Sequence, residues 1–361
     1  MKKATLLFFV LLFSVPLSSQ VLSGQRSIKK IDELITRSYH SIAPGCVVLV
    51  SEKGKVVYEK GFGQANIELN VPMRPEMLFR LGSITKQYTA IAILQLIEQG
   101  RISLQDSLQK FVNGFPYKGH TITIEHLLTH TSGIVDYEVL DFHIPNAIRI
   151  DFQPKQMIDS LGVLPLAFIP GTKFSYSNSN YFLLGFILEK VTGKAYKSYM
   201  KENVFTPIGL SETFYDSPVE IIKNRMPGYT KGSTGYQNAG YLSMNQVFSA
   251  GALLASARDL FRWHQALYAY KLVKKETLDK AVAPFRFSDG KLSQYGYGWF
   301  IKELRGRKLI GHGGAIDGFR SMEVYLPEED IFIAALFNSD DNGFFPLFEN
   351  ITNLVLSDFN Q

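Results

Sequence analysis

Cysteine is almost absent from this 361-residue chain, because Cys46 is the only one and no intrachain disulfide can form. Residues 44–50 read Pro-Gly-Cys-Val-Val-Leu-Val and carry no charge that would lower the pKa of the thiol. A free cysteine in such surroundings behaves as a small apolar residue. The pattern therefore predicts that Cys46 packs within a strand and takes no part in chemistry.

Runs of basic residues are also lacking, although the formal net charge is +5. A nucleic-acid-binding surface needs lysines and arginines clustered on one face or along one helix, and no such cluster is visible. We therefore expect no nucleic-acid partner and a small-molecule or peptide substrate instead. The sequence carries no signal for an oligomeric state.

Long hydrophobic runs are missing except at the amino terminus, where Met1-Lys2-Lys3 precedes a mostly apolar stretch at residues 4–17. This stretch is too short for a comfortable transmembrane helix. Residues 1–20 are therefore predicted to be a signal peptide, cut at about residues 18–24, with a retained amino-terminal anchor as the alternative. The mature protein would be exported, either periplasmic or secreted, and would have no stable membrane span.

Signatures of two other hydrolase classes are missing as well. The chain has no Gly-x-Ser-x-Gly motif, which argues against an α/β-hydrolase. Three acids are available to a triad in another serine-hydrolase scheme: Asp136, Asp259 and Asp317.

His126 and His130 lie four residues apart, but Leu127 stands where a metalloprotease helix has glutamate. We therefore expect no metal and no cofactor, and we expect His130 to hold the turn at residues 131–133.

The composition, 46% hydrophobic and 20% charged, is that of a globular protein. Strand patterns lie near both chain ends, at residues 47–51, 56–61, 298–303, 308–312, 321–325 and 331–337. Residues 83–289 carry mainly helical patterns. We therefore predict an α/β (α+β) fold, in which residues 25–82 and 290–361 form an antiparallel sheet flanked by helices and residues 83–289 form an inserted helical region.

The chemistry is predicted to centre on residues 81–86, Leu-Gly-Ser-Ile-Thr-Lys. Gly82 interrupts the chain before Ser83, and residues 83–99 then have the pattern of a helix buried on every side. Lys86 lies on the same helix face as Ser83, and a buried lysine that sheds its proton can activate a serine hydroxyl as a nucleophile. The same Ser-x-x-Lys spacing occurs without this context at Ser27, Ser107 and Ser198.

Two later stretches offer partners for Ser83. Tyr176 and Asn178 provide a phenol that can transfer a proton and an amide that can orient a carbonyl or the lysine, although a polar turn capping the next helix is an alternative. Residues 311–315, Gly-His-Gly-Gly-Ala, allow a substrate to approach the backbone closely. An N–H group there can pair with that of Ser83 as an oxyanion hole, whereas the alternative is a glycine-rich turn with an exposed His312.

The order of these stretches resembles the serine hydrolases of the class C β-lactamase superfamily, which includes D-alanyl-D-alanine carboxypeptidases (penicillin-binding protein-like), esterases and D-amino-acid peptidases. Ser83 to Lys86 resembles the family's Ser-x-x-Lys, and Tyr176-Ser177-Asn178 resembles its Tyr-x-Asn. Residues 312–314, His-Gly-Gly, stand in the place of its Lys-Thr-Gly or His-x-Gly. The resemblance runs from about residue 31 to residue 356 and implies a β-lactamase/transpeptidase-like fold.

This resemblance implies a role for each candidate residue. Ser83 would be the acylated nucleophile, while Lys86 and Tyr176 would share the proton transfers. Asn178 would hold the substrate amide or the lysine. The backbone N–H groups of Ser83 and Ala315 would form the oxyanion hole, and the strand segment at His312, Gly313 and Gly314 would bind and orient the substrate.

His312 is a departure, because β-lactamases of this superfamily typically carry a lysine there as a fixed cation for the carboxylate of the antibiotic. Histidine is mostly neutral at pH 7. The resemblance therefore implies an exported serine hydrolase that cleaves a D-amino-acid peptide, a related amide or an ester through an acyl-enzyme. A class C-type β-lactamase and a catalytically weak penicillin- or peptide-binding sensor are the alternatives.

Overall fold

The computed structural model describes residues 29–37, 42–116, 119–142, 149, 151 and 153–358. The predicted signal peptide at residues 1–20 lies outside the described residues, so export stays a prediction. In the described part of the chain, no helix combines the length and the apolar character that crossing a bilayer requires.

Both ends of the chain build one six-stranded sheet, which confirms the predicted antiparallel architecture. In spatial order the strands are β10 (Phe300–Leu304), β11 (Arg307–Ile316), β12 (Phe319–Leu326), β13 (Ile331–Phe337), β1 (Cys46–Glu52) and β2 (Lys55–Phe62). Neighbouring strands are antiparallel throughout, and β13 pairs with β1 with Val48 opposite Ala335. Every residue of β13 is buried, so this central strand is covered on both faces.

The two faces of the sheet face two different cores. Helices α1 (residues 29–37) and α10 (Phe344–Asp358) cover one face, where Ile35 and Ile351 pack with Val48. The other face packs against the helical region, where side chains such as Val47 and Phe332 join the larger core. Cys46 is fully buried in β1, and burial raises the pKa of its thiol, in agreement with its predicted structural role.

The inserted region is mainly helical, as predicted. In its described part the α-helices are α2 (Thr85–Glu98), α3 (Ile124–Leu128), α4 (Pro154–Val163), α5 (Asn178–Thr192), α6 (Tyr196–Met200), α7 (Met244–Gly251), α8 (Ala257–Tyr268) and α9 (Lys275–Ala281). Helix α2 is the central one, since eleven of its fourteen residues are buried, and α5 and α7 pack against it. The proposed division of the chain at residues 83 and 289 stays a prediction, and the larger core draws side chains from both sides of it.

Three small sheets were not predicted. Their strands are β3 (Gln64–Asn66) with β4 (Val71–Pro72), β5 (Phe79–Arg80) with β9 (Leu253–Ala255) and β6 (Thr213–Tyr215), and β7 (Tyr229–Gly232) with β8 (Gly235–Asn238). These strands have two to four residues, too few to show an alternating pattern. Strand β5 also pairs with a segment more than a hundred residues away, which no local pattern reveals.

Two boundaries near the predicted site differ from expectation. Ser83 does not begin an α-helix but lies in a single 3-10 turn, Gly82–Ile84, and α2 starts at Thr85. The strand predicted to end at His312 continues as β11 to Ile316, so its glycines do not form a turn. They remain in the strand because β12 pairs with them residue by residue, from Gly311 opposite Val324 to Ala315 opposite Arg320.

The buried amide of Asn338 ties the end of β13 to the amino-terminal part of the sheet. Asn338 Oδ1 accepts the Gly45 N–H at 2.7 Å, and Asn338 Nδ2 donates to the Gln64 and Ala65 carbonyls at 3.2 Å. Asn338→Ala removes these three hydrogen bonds, which we expect to lower the free energy of unfolding by about 1–3 kcal/mol. Urea unfolding measures the change, and the exposed Asn342→Ala is the control; equal stability of the two variants would contradict the assigned contact.

Candidate active site

Gly82 brings Ser83 against strand β11. Its φ of +51° lies in the left-handed region, which favours glycine. A Cβ atom at this position would also lie only 3.1 Å from the backbone nitrogen of Ala315. Gly82 therefore permits both the sharp turn before Ser83 and the close approach of the Ala315 N–H, so the two N–H groups predicted to form an oxyanion hole belong to neighbouring segments.

Lys86 is completely buried one turn after Ser83, and three oxygen atoms surround its amine. Lys86 Nζ lies 2.9 Å from Ser83 Oγ, 2.8 Å from Asn178 Oδ1 and 3.0 Å from the Ala250 carbonyl oxygen. The last contact comes from α7, whose helical geometry is interrupted at Phe248 with a φ of +36°. Helices α2, α5 and α7 thus converge on one nitrogen atom.

The amine of Lys86 can lose its proton near neutral pH. Burial lowers its pKa to about 7, and the negative charges of Asp136 and Glu138 oppose this shift. Desolvation dominates because an ammonium loses more hydration free energy on burial than a neutral amine does. The neutral amine has a lone pair that can accept the proton of Ser83, which is the requirement for a general base.

Tyr176 and Asn178 come to the same place from the segment that opens α5. The ring of Tyr176 has its centroid 4.8 Å from Lys86 Nζ, and its hydroxyl is buried beside Ser83. Burial raises the pKa of Tyr176 above its ordinary value, an effect that the Ser83 hydroxyl opposes. A protonated phenol beside Ser83 is suited to donating a proton.

His130 holds this segment in place, rather than only its own turn as expected. Its Nδ1 accepts hydrogen bonds from the Ser177 N–H and from Asn180 Nδ2, both at 3.2 Å, and its carbonyl accepts the Ser175 N–H at 3.0 Å. Burial, with the charge of Lys86, lowers the pKa of His130 well below its ordinary value. The ring is therefore neutral and positions the residues on both sides of Tyr176.

His312 is buried rather than exposed, so the glycine-rich-turn alternative is wrong. Its Nδ1 donates to the Gly313 carbonyl at 2.6 Å, which leaves Nε2 to accept from the Tyr295 hydroxyl at 3.0 Å. Burial lowers the pKa of His312 to about 3, and the nearby Lys86 adds to the shift. His312 lies beside Tyr176, with 6.0 Å between the ring centroids, as an uncharged group.

The glycines after His312 let β11 pass close to the turn that carries Ser83. A Cβ atom on Gly314 would lie 1.9 Å from the Leu81 carbonyl oxygen, and one on Gly313 would lie 3.0 Å from the Met322 side chain. Ser321 on β12 secures the same region, because its hydroxyl donates to the Leu81 carbonyl at 2.7 Å. The predicted close approach of the backbone is therefore present at Gly314.

Two acids hold Asn178: Asp136, which the sequence offered only as a possible triad acid, and Glu138, which was not selected. Asp136 Oδ2 accepts the Asn178 N–H at 2.6 Å, and Glu138 Oε1 accepts from Asn178 Nδ2 at 3.2 Å. Burial raises the pKa of Glu138, the charge of Asp136 adds to this, and Lys86 opposes it. The sequence did carry one signal for this pair, because residues 136–138 read Asp-Tyr-Glu and follow closely after His130. The triad alternative fails for Asp259, which instead accepts the Glu212 N–H away from Ser83.

The cleft at Ser83 has two chambers that differ in character. The acidic chamber, about 670 Å³, is lined by the carboxylates of Asp136, Glu138 and Asp317. The apolar chamber, about 830 Å³, extends from Tyr176 and His312 toward α10. Both chambers include Ser83, Asp136, Glu138, Asn178 and Ala315, whereas Asp317 lines the acidic chamber and not the apolar one; the nucleophile and two of the carboxylates therefore lie where the chambers meet.

No group of three histidine, cysteine, aspartate or glutamate side chains suited to a metal ion occurs within the described ranges. The two histidines that lie four residues apart have other roles. His126 caps α3, because its Nδ1 accepts a hydrogen bond from the Thr123 N–H at 3.3 Å. His130 holds the segment that carries Tyr176 through its contact with the Ser177 N–H.

A serine beside a buried lysine, a tyrosine and an asparagine, in a cleft between an antiparallel sheet and a helical region, defines a serine hydrolase-type protein. The sequence profile described as "Beta-lactamase" matches residues 31–354. The chain therefore belongs to the Beta-lactamase family. Its relatives include penicillin-binding proteins and D-aminopeptidases.

Three individual proteins illustrate these relationships. The chain is 31% identical over 312 residues to a penicillin-binding protein of Bacillus subtilis strain 168, covering 82% of this chain and 68% of that protein. It is 29% identical over 302 residues to a D-aminopeptidase of Gluconobacter oxydans strain 621H, covering 82% of this chain and 56% of that protein. The solved structure of an octameric penicillin-binding protein homologue from Pyrococcus abyssi matches with a TM-score of 0.78 and 31% identity, covering 92% and 76% of the two chains.

The lowered pKa of Lys86 predicts the pH dependence of the reaction. If neutral Lys86 accepts the Ser83 proton, kcat/KM rises about tenfold per pH unit below about pH 7 and levels off above it. Lys86→Arg keeps a cation that cannot deprotonate, so we expect a loss of about 10²–10⁴-fold. A pH profile on an activated ester measures both effects, and the exposed Lys155→Arg is the control. A profile that is flat across pH 7 would contradict this role.

Proposed function

We propose that the protein hydrolyses amides or esters of D-amino acids through an acyl-enzyme on Ser83. The observation that carries the proposal is the 2.9 Å contact between Ser83 Oγ and the buried Lys86 amine. A serine hydroxyl is a weak nucleophile until a neighbouring base accepts its proton, and a neutral lysine beside it is such a base. The D-aminopeptidase and penicillin-binding protein relatives support this reaction class.

In the proposed acylation step, Ser83 Oγ attacks the substrate carbonyl while its proton passes to Lys86 Nζ. The developing oxyanion receives hydrogen bonds from the N–H groups of Ser83 and Ala315. The bond to the leaving oxygen or nitrogen then breaks, and the proton relayed from Lys86 through Tyr176 reaches the leaving atom. Lys86 and Tyr176 titrate as a coupled pair, so the pH profile belongs to both.

Deacylation reverses the proton path. A water molecule occupies the position of the departed leaving group and loses a proton to the same Lys86–Tyr176 pair. It attacks the acyl carbon, the bond to Ser83 Oγ breaks, and the serine recovers its proton. Asn178, held by Asp136 and Glu138, keeps its Oδ1 on Lys86 and orients the amine during both steps.

The acidic chamber supports an acyl group that carries a free amino group. Asp136, Glu138 and Asp317 line it, and no lysine or arginine is among the described residues of its lining. A substrate ammonium placed there would gain favourable interactions with these carboxylates, whereas a substrate carboxylate would be repelled. This polarity favours a D-amino-acid amide or ester over the N-acylated substrates of a carboxypeptidase.

The β-lactamase alternative has less support, because the β-lactam carboxylate finds no fixed cation at His312. This residue is buried and uncharged, held between Tyr295 and the Gly313 carbonyl. The binding-sensor alternative is also less favoured, since each residue that the chemistry requires lies within reach of Ser83. Export, to the periplasm or the medium, remains part of the proposal on the strength of the residues at the amino terminus.

Covalent labelling tests the nucleophile directly. We expect wild-type protein to gain one adduct with a fluorophosphonate, and Ser83→Ala to gain none, because Lys86 is positioned to activate Ser83 as a base. Intact mass measures the adduct. Ser198→Ala, an exposed serine in the same Ser-x-x-Lys spacing, is the matched control and should label like wild type. Labelling of Ser83→Ala at the wild-type rate would disprove the assignment, and a stable penicillin adduct without turnover would favour the sensor alternative.

Glu138→Gln tests the preference for a free amino group. The substitution removes a negative charge but keeps an oxygen that can accept from Asn178 Nδ2. We expect kcat/KM for D-alanine p-nitroanilide to fall about tenfold, as for loss of one charge-assisted hydrogen bond, with little change for the N-acetylated analogue. Glu202→Gln, half-exposed outside the cleft, is the control. Equal losses on both substrates would mean that Glu138 only maintains the position of Asn178.

A further inference from the structure

The apolar chamber joins the reacting groups to a hydrophobic surface beside α10. Ser83, Tyr176 and His312 form one end of this space of about 830 Å³. The other end is apolar and is formed by side chains of β10, β11, β12 and α10: Phe300, Leu309, Met322, Val324, Phe345 and Phe348. The chamber is therefore a continuation of the active site and not a separate cavity.

No buried cation faces this chamber among its described lining residues. Lys302, Glu303 and Glu349 lie at its exposed rim, and the Lys302 amine lies 5.1 Å from the centroid of the Phe300 ring. Both ring nitrogens of His312 are already hydrogen-bonded, to Tyr295 and to the Gly313 carbonyl. A substrate carboxylate here would lose hydration without gaining a partner, whereas an apolar group would lose nothing.

Phe345 is the exposed aromatic member of the chamber. Its neighbours on α10, Phe344 and Phe348, are buried in the core under the sheet, but 46% of Phe345 is exposed. It lies at the start of α10, facing the same space as Met322 and Phe300. A ligand in the chamber would cover this ring and remove apolar surface from water, which favours binding in proportion to the area covered.

The position of Tyr176 indicates which part of the substrate enters the chamber. Tyr176 lines the apolar chamber and is absent from the lining of the acidic one. The leaving atom needs a proton as its bond to the carbonyl carbon breaks, so it departs on the side of the proton donor. The acyl substituent points away from the leaving group, so its amino group lies toward the acidic chamber, where Asp317 adds to the two carboxylates at the junction.

We propose that the apolar chamber binds the leaving group and that this group is uncharged and apolar, an alkyl or aromatic alcohol or amine. This inference rests on the proposed function, because it assigns one side of the acyl transfer at Ser83. In the step, the Ser83 Oγ–acyl bond forms and the bond from the carbonyl carbon to the leaving oxygen or nitrogen breaks. The proton lost by Ser83 returns to that atom through Lys86 and Tyr176, so no further reactant is required.

A series of D-alanine esters of unbranched alcohols, from ethyl to hexyl, tests this assignment. We expect kcat/KM to rise about fourfold for each added methylene until the chamber is filled, the gain typical of burying one methylene. D-alanyl-glycine, whose leaving group carries a carboxylate, should react more slowly than the matching D-alanine propylamide. Equal rates across the ester series with good turnover would overturn the assignment while leaving acyl transfer at Ser83 intact.

Phe345→Ala tests whether the gain in kcat/KM per added methylene arises from contacts in the apolar chamber. The side chain is half-exposed, so the variant should fold, and we expect the gain per methylene to fall to less than twofold. The matched control is Phe214→Ala on β6, which removes a ring that is 37% exposed and lines neither chamber; it should keep the wild-type slope. An unchanged slope in Phe345→Ala would overturn the assignment of this ring.

If none of the esters is hydrolysed, the proposed function is contradicted. Measurements of direct binding then test the apolar chamber separately from catalysis. Calorimetry with Ser83→Ala then compares D-alanine hexylamide with D-alanine methylamide. Tighter binding of the hexylamide, lost when Phe345→Ala is added and retained with Phe214→Ala, supports the apolar chamber without catalysis. Equal affinity for the two amides would overturn it.

Discussion

The burial of one lysine amine at the start of α2 is the constraint on which the active site depends. An ammonium inside the protein loses its hydration, and its protonated state is tolerated only because three oxygen atoms surround it. Those oxygens come from the Ser83 turn, from α5 and from α7. The requirement to satisfy Lys86 thus fixes the relative positions of three segments, and the same contacts place Ser83 beside a base of near-neutral pKa.

The surroundings of Ser83 extend this arrangement into a directional cleft. The carboxylates of Asp136 and Glu138 lie where the two chambers meet and hold Asn178 against Lys86, and Asp317 adds a third carboxylate on one side. Apolar side chains of the sheet and α10 lie on the other side, next to Tyr176. Because Ser83 lies between them, a substrate with a charged end and an apolar end has one favourable orientation. The neutral state of His312 is part of the same pattern, since it leaves the described lining of the apolar side without a buried cation.

Much of the fold followed from patterns along the chain. The strands β1 and β13 have near-continuous apolar sequences, because both faces of the central sheet are covered, and their positions were predicted to within a residue or two. The short strands β5, β6 and β9 were missed, since two or three residues carry no periodicity and their pairing depends on segments far apart. The break of α7 at Phe248 was also missed, because no glycine or proline marks that position in the sequence.

The candidate chemistry could be predicted from residue types and their order along the chain, because Ser83, Lys86, Tyr176, Asn178 and the glycines around His312 suit an acyl transfer. How these groups behave depends on the folded protein. Depth of burial sets the pKa of Lys86 and keeps His312 uncharged, and neither can be read from neighbours in the chain. The roles of His130 and Glu138 likewise arise from contacts across 40 or more residues, which form only when the helical region folds against the sheet.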